Sequence, residues 1–273
     1  MSALYQDGPV EEFRPSAMCG RYVIISTPEA IRALFRYGEQ PNFPSRYNVA
    51  PTQPIPIVRL LDGKRSFALM RWGLLPAWVQ DPKAFPLLIN ARGESVLDKP
   101  AFRNAVRRCR CLIPTDGFYE WQAAGDRAPK RPYFVRARSS AGETPPPLAF
   151  AGLWETWIGP NGEELNTTAI VTTAANRTLS AIHDRMPVFV APEDFDRWLD
   201  CERFDAKEAA PLIKPAAETL LEAYPISLAV NRVANDSAAL IVPLSAQPAG
   251  DGQPPAKAKP RKSKAAGDQA TLF

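Results

Sequence analysis

Twenty-nine of the 273 residues are proline. Each proline fixes φ near about −65° and removes a backbone N–H, so long regular helices are excluded and many fixed loops are required. Between the prolines the apolar residues fall in short runs. Arg21–Ser26 reads as a strand, and Thr27-Pro28-Glu29 opens a helix, with Thr27 as N-cap and Pro28 in the first turn. Ile55–Leu61 and Ser66–Trp72 flank Asp62-Gly63, the signature of a hairpin. Further strand candidates are Cys111–Pro114, Tyr133–Arg138, Leu148–Trp157, Thr168–Thr172, Val188–Val190 and Ile226–Leu228. Helices are expected over Pro100–Arg108, Pro192–Leu199 and Lys207–Ile213, the last extended by Ala216–Leu221. No βαβ alternation and no internal repeat is evident. The expected fold class is α+β, a single compact domain of twisted antiparallel strands with peripheral short helices.

Residues 1–17 read as a leader without apolar periodicity, residues 18–245 as the globular domain and residues 246–273 as a disordered basic tail rich in Pro, Ala, Gly and Lys. The formal charge of +4 is unevenly distributed. The leader carries Arg14 against Asp7, Glu11 and Glu12. The tail carries Lys257, Lys259, Arg261, Lys262 and Lys264 against Asp251 and Asp268. The remaining body is weakly basic, so a local patch can hold a phosphate backbone, but bulk charge does not demand one. No run approaches the roughly 20 apolar residues of a membrane span. The first residues lack the basic-then-apolar order of a secretory signal. Four cysteines without framework spacing argue against a disulfide scaffold. The expected location is cytoplasmic.

The chemistry-bearing residues begin at Met18-Cys19-Gly20-Arg21-Tyr22. With Met18 and everything before it removed, Cys19 carries a free amine and a thiol on adjacent carbons. That pair condenses with an aldehyde to an imine, and the thiol closes a thiazolidine ring. His183 is the sole histidine and the only side chain whose ordinary pKa lies near neutrality, hence a proton shuttle or a satisfied structural residue. Glu120 lies among Phe118, Tyr119 and Trp121. Desolvation there raises its pKa and suits acid–base work, unless it sits on a strand edge facing water. Asn90-Ala91-Arg92-Gly93-Glu94 offers an amide to orient a carbonyl or hydroxyl and a guanidinium for phosphate, or forms only a polar turn. The segments 47–53 and 72–78, rich in aromatic residues and proline, can stack or wedge bases, or serve as core and turns. A single histidine leaves no ordinary zinc ligand set, so neither metal nor cofactor is expected.

Taken in order, MCGRY (18–22), YNVAPTQ (47–53), RWGLLPAW (71–78), INARGES (89–95), FRNAVRRCRCLIPTDGFYEW (102–121), FAGLWE (150–155), TTAAN (172–176) and HDRMP (183–187) resemble the SOS-response-associated peptidase (SRAP) family from Met18 to about Pro243. The resemblance implies a compact α+β domain of twisted antiparallel strands around a positively charged groove. It also implies loss of the initiator methionine and covalent crosslinking of the exposed cysteine to abasic sites in single-stranded DNA. It assigns the nucleophile to Cys19, with Asn90, Glu120 and His183 as active-site partners. Arg21, Arg92 and Arg185 resemble DNA-contacting arginines, and Trp72 the stacking or wedging residue. Possible lyase and autopeptidase activities come with the family. The implied setting is the bacterial nucleoid, with the protein as a monomer.

Family members begin at the methionine of MCGRY, whereas seventeen residues precede it here. Translation starts at Met18, or the leader is cut, or it stays and prevents the thiazolidine. Two other functions compete: a cysteine autopeptidase acting on its own leader, and a non-covalent reader of modified or single-stranded DNA. At the far end, Gln269, Leu272 and Phe273 resemble the short glutamine–leucine–phenylalanine peptides that dock on the bacterial sliding clamp.

Overall fold

The computed structural model describes residues 19–123, 129–140 and 145–246. The leader, Met18 and the tail residues Gln269, Leu272 and Phe273 lie outside the described residues. Twelve strands appear among those described: β1 (Tyr22–Ile24), β2 (Arg46–Val49), β3 (Pro54–Leu61), β4 (Lys64–Trp72), β5 (Asn90–Arg92), β6 (Arg110–Thr115), β7 (Gly117–Gln122), β8 (Arg131–Ala137), β9 (Leu148–Ile158), β10 (Glu164–Ala174), β11 (Arg185–Pro187) and β12 (Leu221–Pro225). The helices are short: α1 (Pro28–Phe35), α2 (Arg103–Arg108), α3 (Arg177–Ser180), α4 (Phe195–Leu199) and α5 (Ala206–Ala209). The α+β expectation holds.

Local chemistry explains the elements read in advance. The Thr27 side chain accepts from the Ala30 N–H, Pro28 occupies the first turn, and Arg36 ends α1 in the left-handed conformation at φ 57°. Asp62 and Gly63 have φ of 48° and 71°, the two positive values that a tight hairpin turn requires, and join β3 to β4 in register from Leu61–Lys64 to Pro54–Arg71.

One sheet runs β12-β8-β7-β1-β2. The other runs β11-β10-β4-β3-β6-β9, and β9 pairs again with β10, which closes β10-β4-β3-β6-β9 into a small barrel. Closure removes the free edges that five short strands would otherwise expose. β10 is parallel to β4 and β5, which departs from the all-antiparallel expectation. Aromatic side chains tie the layers together: Tyr22 meets Trp72 and Phe150 edge-on at 5.5 and 6.1 Å, and Phe118 meets Phe150 at 6.0 Å.

Three expectations are corrected. Ala216–Leu221 is not helical; Leu221 opens β12, which pairs with β8 from Leu221–Ala137 to Pro225–Tyr133. Ile226–Leu228 lies past that strand, and a 3-10 turn covers Leu228–Asn231. The Val188–Val190 strand is a single bridge at Phe189; the paired segment is β11, three residues earlier.

Candidate functional site

β1 pairs antiparallel with β7 through Tyr22–Phe118 and Val23–Gly117. Continuing that register towards the N-terminus brings Gly20 opposite Glu120 and Cys19 opposite Trp121. The backbone follows this path, since Tyr119 N–H donates to the Arg21 carbonyl at 3.0 Å. The Cys19 backbone nitrogen then lies 2.7 Å from Glu120 Oε1 and donates to it. Alternation along β7 sends Tyr119 and Trp121 into one apolar cluster and Phe118 into the main core. Glu120 shares the Phe118 face.

Glu120 is 2% exposed, and burial pushes its carboxyl up from an ordinary 4.5 to about 8. The Cys19 thiol is wholly buried. Burial, with Glu120 adding to it, drives its pKa well above the ordinary value. Cys19 also has φ 41°, a left-handed backbone that side-chain-bearing residues rarely adopt.

His183 follows α3 in the loop that enters β11. Its backbone N–H donates to the Leu179 carbonyl at 2.9 Å. The Arg185 N–H approaches its Nδ1 at 3.2 Å. Burial lowers its pKa against the opposing pull of Asp184, whose Oδ1 is 2.9 Å from Nδ1. The ring is therefore neutral at pH 7. Lys130 acts electrostatically on both Glu120 and His183, so the two groups share a neighbourhood.

Asn90 and Arg92 lie on β5, paired with Ile170 and Thr172 of β10. Arg92 is exposed and Asn90 half-buried. Arg185 pairs with Ala174 through β11. Its Nη1 and Nη2 donate to the two oxygens of Glu94 at 2.9 and 2.8 Å, and Nη2 also reaches the Thr172 carbonyl at 2.9 Å.

Two of the expected DNA contacts, Trp72 and Arg21, are buried in the unliganded fold. Trp72 is wholly buried, donates its indole N–H to the Ile89 carbonyl at 3.0 Å and packs on Tyr22. Arg21 is 3% exposed and donates to Asn48 Oδ1 and the Val230 carbonyl at 2.9 and 3.1 Å. It fastens the 228–235 segment to β2.

The exposed ring of the 71–78 motif is Trp78, at 53%. It stands edge-on to Phe85 at 5.6 Å. Three hydrogen bonds hold its loop to the barrel: Leu75 N–H to Thr167 Oγ1 at 2.9 Å, Ala77 N–H to Glu155 Oε2 at 2.7 Å, and Trp157 Nε1–H to the Val79 carbonyl at 2.7 Å. Sequence reasoning also missed Gln122 and Tyr133. Gln122 shares the Glu120 face, donates to the Ala181 carbonyl at 2.8 Å and accepts from the Tyr133 hydroxyl at 3.1 Å, which braces the His183 loop. The two-residue period of β7, counted on from Glu120, was the signal for Gln122.

Among the described residues no group of three or more His, Cys, Asp or Glu side chains is placed to hold a metal ion. No helix there is long and apolar enough to cross a membrane.

The profile of the SOS response associated peptidase (SRAP) family matches residues 18–233. The abasic site processing protein YoqW of Bacillus subtilis is 37% identical over 228 residues, spanning 82% of this chain and 99% of that protein. The abasic site processing protein HMCES of Xenopus tropicalis is 28% identical over 260 residues, spanning 81% and 76%. A crystal structure of a Bacteroides thetaiotaomicron protein shares the fold at TM-score 0.71 and 24% identity, over 82% of this chain and 99% of that one.

Proposed function

Because the chain belongs to the SOS response associated peptidase (SRAP) family, we propose that residues 18–245 form one domain that captures abasic sites in single-stranded DNA covalently through Cys19, once residues 1–18 are removed. The observation that carries this reading is the Cys19 nitrogen held 2.7 Å from a buried carboxyl. In the full chain that nitrogen is an amide. Removal of Met18 turns it into an amine at the same place.

The opened abasic sugar presents an aldehyde. The Cys19 amine adds to the carbonyl carbon, and the carbinolamine loses water to give an imine. The thiol then adds across the C=N bond, sulfur to carbon and proton to nitrogen, closing the thiazolidine. Glu120, with its carboxyl near 8 in the full chain, is suited to take the proton that the amine sheds and return it to the departing hydroxyl. His183, its pKa lowered by burial, is suited to sugar opening and to dehydration. Asn90 orients the sugar oxygen. Arg92 and Arg185 face the phosphates. Of the two tryptophans of the 71–78 motif, Trp78 is the one exposed for a flanking base to stack on. Closing the aldehyde into a ring removes the group that drives strand cleavage by β-elimination.

Reaction of the Cys19-start protein with an abasic oligonucleotide should give an adduct of the summed masses less one water. Cys19→Ala, or a borohydride-reduced abasic site, should give none. Undiminished binding without an adduct would instead indicate a non-covalent reader.

Self-removal of the leader is a second reading, supported by the φ of 41° at Cys19. A strained backbone at the bond to be cut favours cleavage. Intact mass should then show the leader retained in Cys19→Ala and lost from the parent chain. Docking of Gln269, Leu272 and Phe273 on the sliding clamp is tested separately with a peptide of residues 265–273.

A further inference from the structure

We propose that Glu94 is an internal stand-in for a DNA phosphate: it occupies the Arg185 guanidinium in the unliganded protein and must be displaced for Arg185 to engage the strand. The inference deepens the reading above and rests on it.

Arg185 is already engaged. Both terminal nitrogens meet Glu94 in the parallel two-bond geometry that a guanidinium offers equally to carboxylate and phosphate. Nη2 adds the Thr172 carbonyl at 2.9 Å and the Thr172 hydroxyl at 3.3 Å. The Arg185 side chain is only 15% exposed, whereas Glu94 is 53% exposed. The carboxylate is therefore the partner lying on the solvent side of the fork, where an incoming anion arrives first.

The paired state is also imperfect. Arg185 Nε is buried and has no hydrogen-bond partner among the described residues. A buried donor left unmatched is an unfavourable feature of that state. A guanidinium turned outward onto a phosphate can bring Nε to an acceptor. Glu94 follows Arg92 by two residues on a 3-10 turn, Gly93–Ser95, that packs against β10. Gly93 lies so close to Ile213 and to the Thr172 carbonyl that a Cβ there would meet them at 2.2 and 3.1 Å. The turn is thus fixed, and the freedom to move resides in the exposed Glu94 side chain. Arg92 pairs with Thr172 across β5 and β10 and is exposed, which puts a second cation beside the same spot.

The consequence is a strand-binding site whose strength is set by a carboxylate. An anion that meets only one cation gains little against a two-bond internal partner. A polyanion that meets Arg92 as well can displace it. Glu94 thereby discriminates against isolated phosphates and in favour of a strand.

The experiment uses the full chain and an undamaged, fluorescein-labelled oligothymidylate, so that no covalent step intervenes. Fluorescence anisotropy is read over a series of salt concentrations. Glu94→Gln is expected to tighten binding about 3- to 10-fold at low salt. It should also steepen the slope of log affinity against log salt by about 0.7, because one more cation is then neutralised by the strand alone. Arg185→Gln in the Glu94→Gln background should abolish the gain, with unchanged thermal melting showing that the fold persists. If the parent protein binds the strand and Glu94→Gln binds it equally or more weakly, Glu94 only orients Arg185 and the proposal is overturned while DNA capture stands. If neither protein binds, the proposal falls, while capture by the Cys19-start protein is judged separately by its own adduct.

Discussion

Removing the charge from Glu120 gives the sharpest thermodynamic signature. The carboxyl is 2% exposed, titrates near 8 in the folded chain against an ordinary 4.5, and accepts the Cys19 N–H at 2.7 Å. Between those two values the folded chain holds a proton that the unfolded chain has lost. Stability therefore falls as pH rises, beginning near 4.5 and ending near 8, the reverse of a salt-bridged carboxylate. At about 1.36 kcal/mol for each pH unit, the loss is on the order of 3–5 kcal/mol. Glu120→Gln keeps the oxygen that accepts from Cys19 and cannot ionise. Urea denaturation followed by tryptophan fluorescence from pH 5 to 9 should show the parent losing stability faster than Glu120→Gln, with Gln the more stable form above pH 8. All other titrating groups are common to the two proteins, so the difference curve isolates Glu120. Parallel curves would refute the buried, protonated carboxyl. Removal of residues 1–18 adds a twist. The nitrogen beside Glu120 becomes an ammonium, which favours the carboxylate and lowers its pKa by about one to three pH units. The difference curve should flatten in the Cys19-start protein.

The remaining expectations separate packing from surface. Trp72→Ala should cost about 3–5 kcal/mol in urea denaturation, since a wholly buried ring is lost. Trp78→Ala should leave stability within about 0.5 kcal/mol and weaken strand binding measured by anisotropy. His183→Gln should slow crosslinking about 100-fold or more in a quenched time course. Because burial depresses the His183 pKa below its ordinary 6.5, the parent rate attributable to the neutral ring should persist from pH 7 down past 6.5 and fall only below that. Gly117→Ala should destabilise by about 1–3 kcal/mol, because a Cβ there meets Phe134 at 2.5 Å and the Val135 carbonyl at 2.6 Å.

Features written in local chemistry were legible in the sequence. The Asp62-Gly63 hairpin and the capped α1 depend on residues within a few positions of one another, and both appear as read. The burial of Glu120, by contrast, is set by distant packing, because Tyr119 and Trp121 point to the other face of β7 and only Phe118 shares its side. Features set by distant pairing were not legible. The barrel closes through β9 and β10 with a parallel β4 contact, which alternation alone does not specify. Leu221 reads as helical from its neighbours, yet its register with Ala137 on β8 makes it a strand residue. Trp72 and Trp78 occupy one motif, and only their packing separates core from surface: six residues apart, one supports Tyr22 and the other projects from a clamped loop. Arg21 and Arg185 read as free cations because their partners, Asn48 and Glu94, stand 27 and 91 residues away.

The most direct test of covalent capture is a denaturing gel of the Cys19-start protein incubated with single-stranded DNA containing one abasic site, run beside the full-length chain. The account predicts a shifted band from the Cys19-start protein, none from the full-length chain while it retains its leader by intact mass, and none with reduced abasic DNA. Absence of a shifted band from the Cys19-start protein would contradict the account.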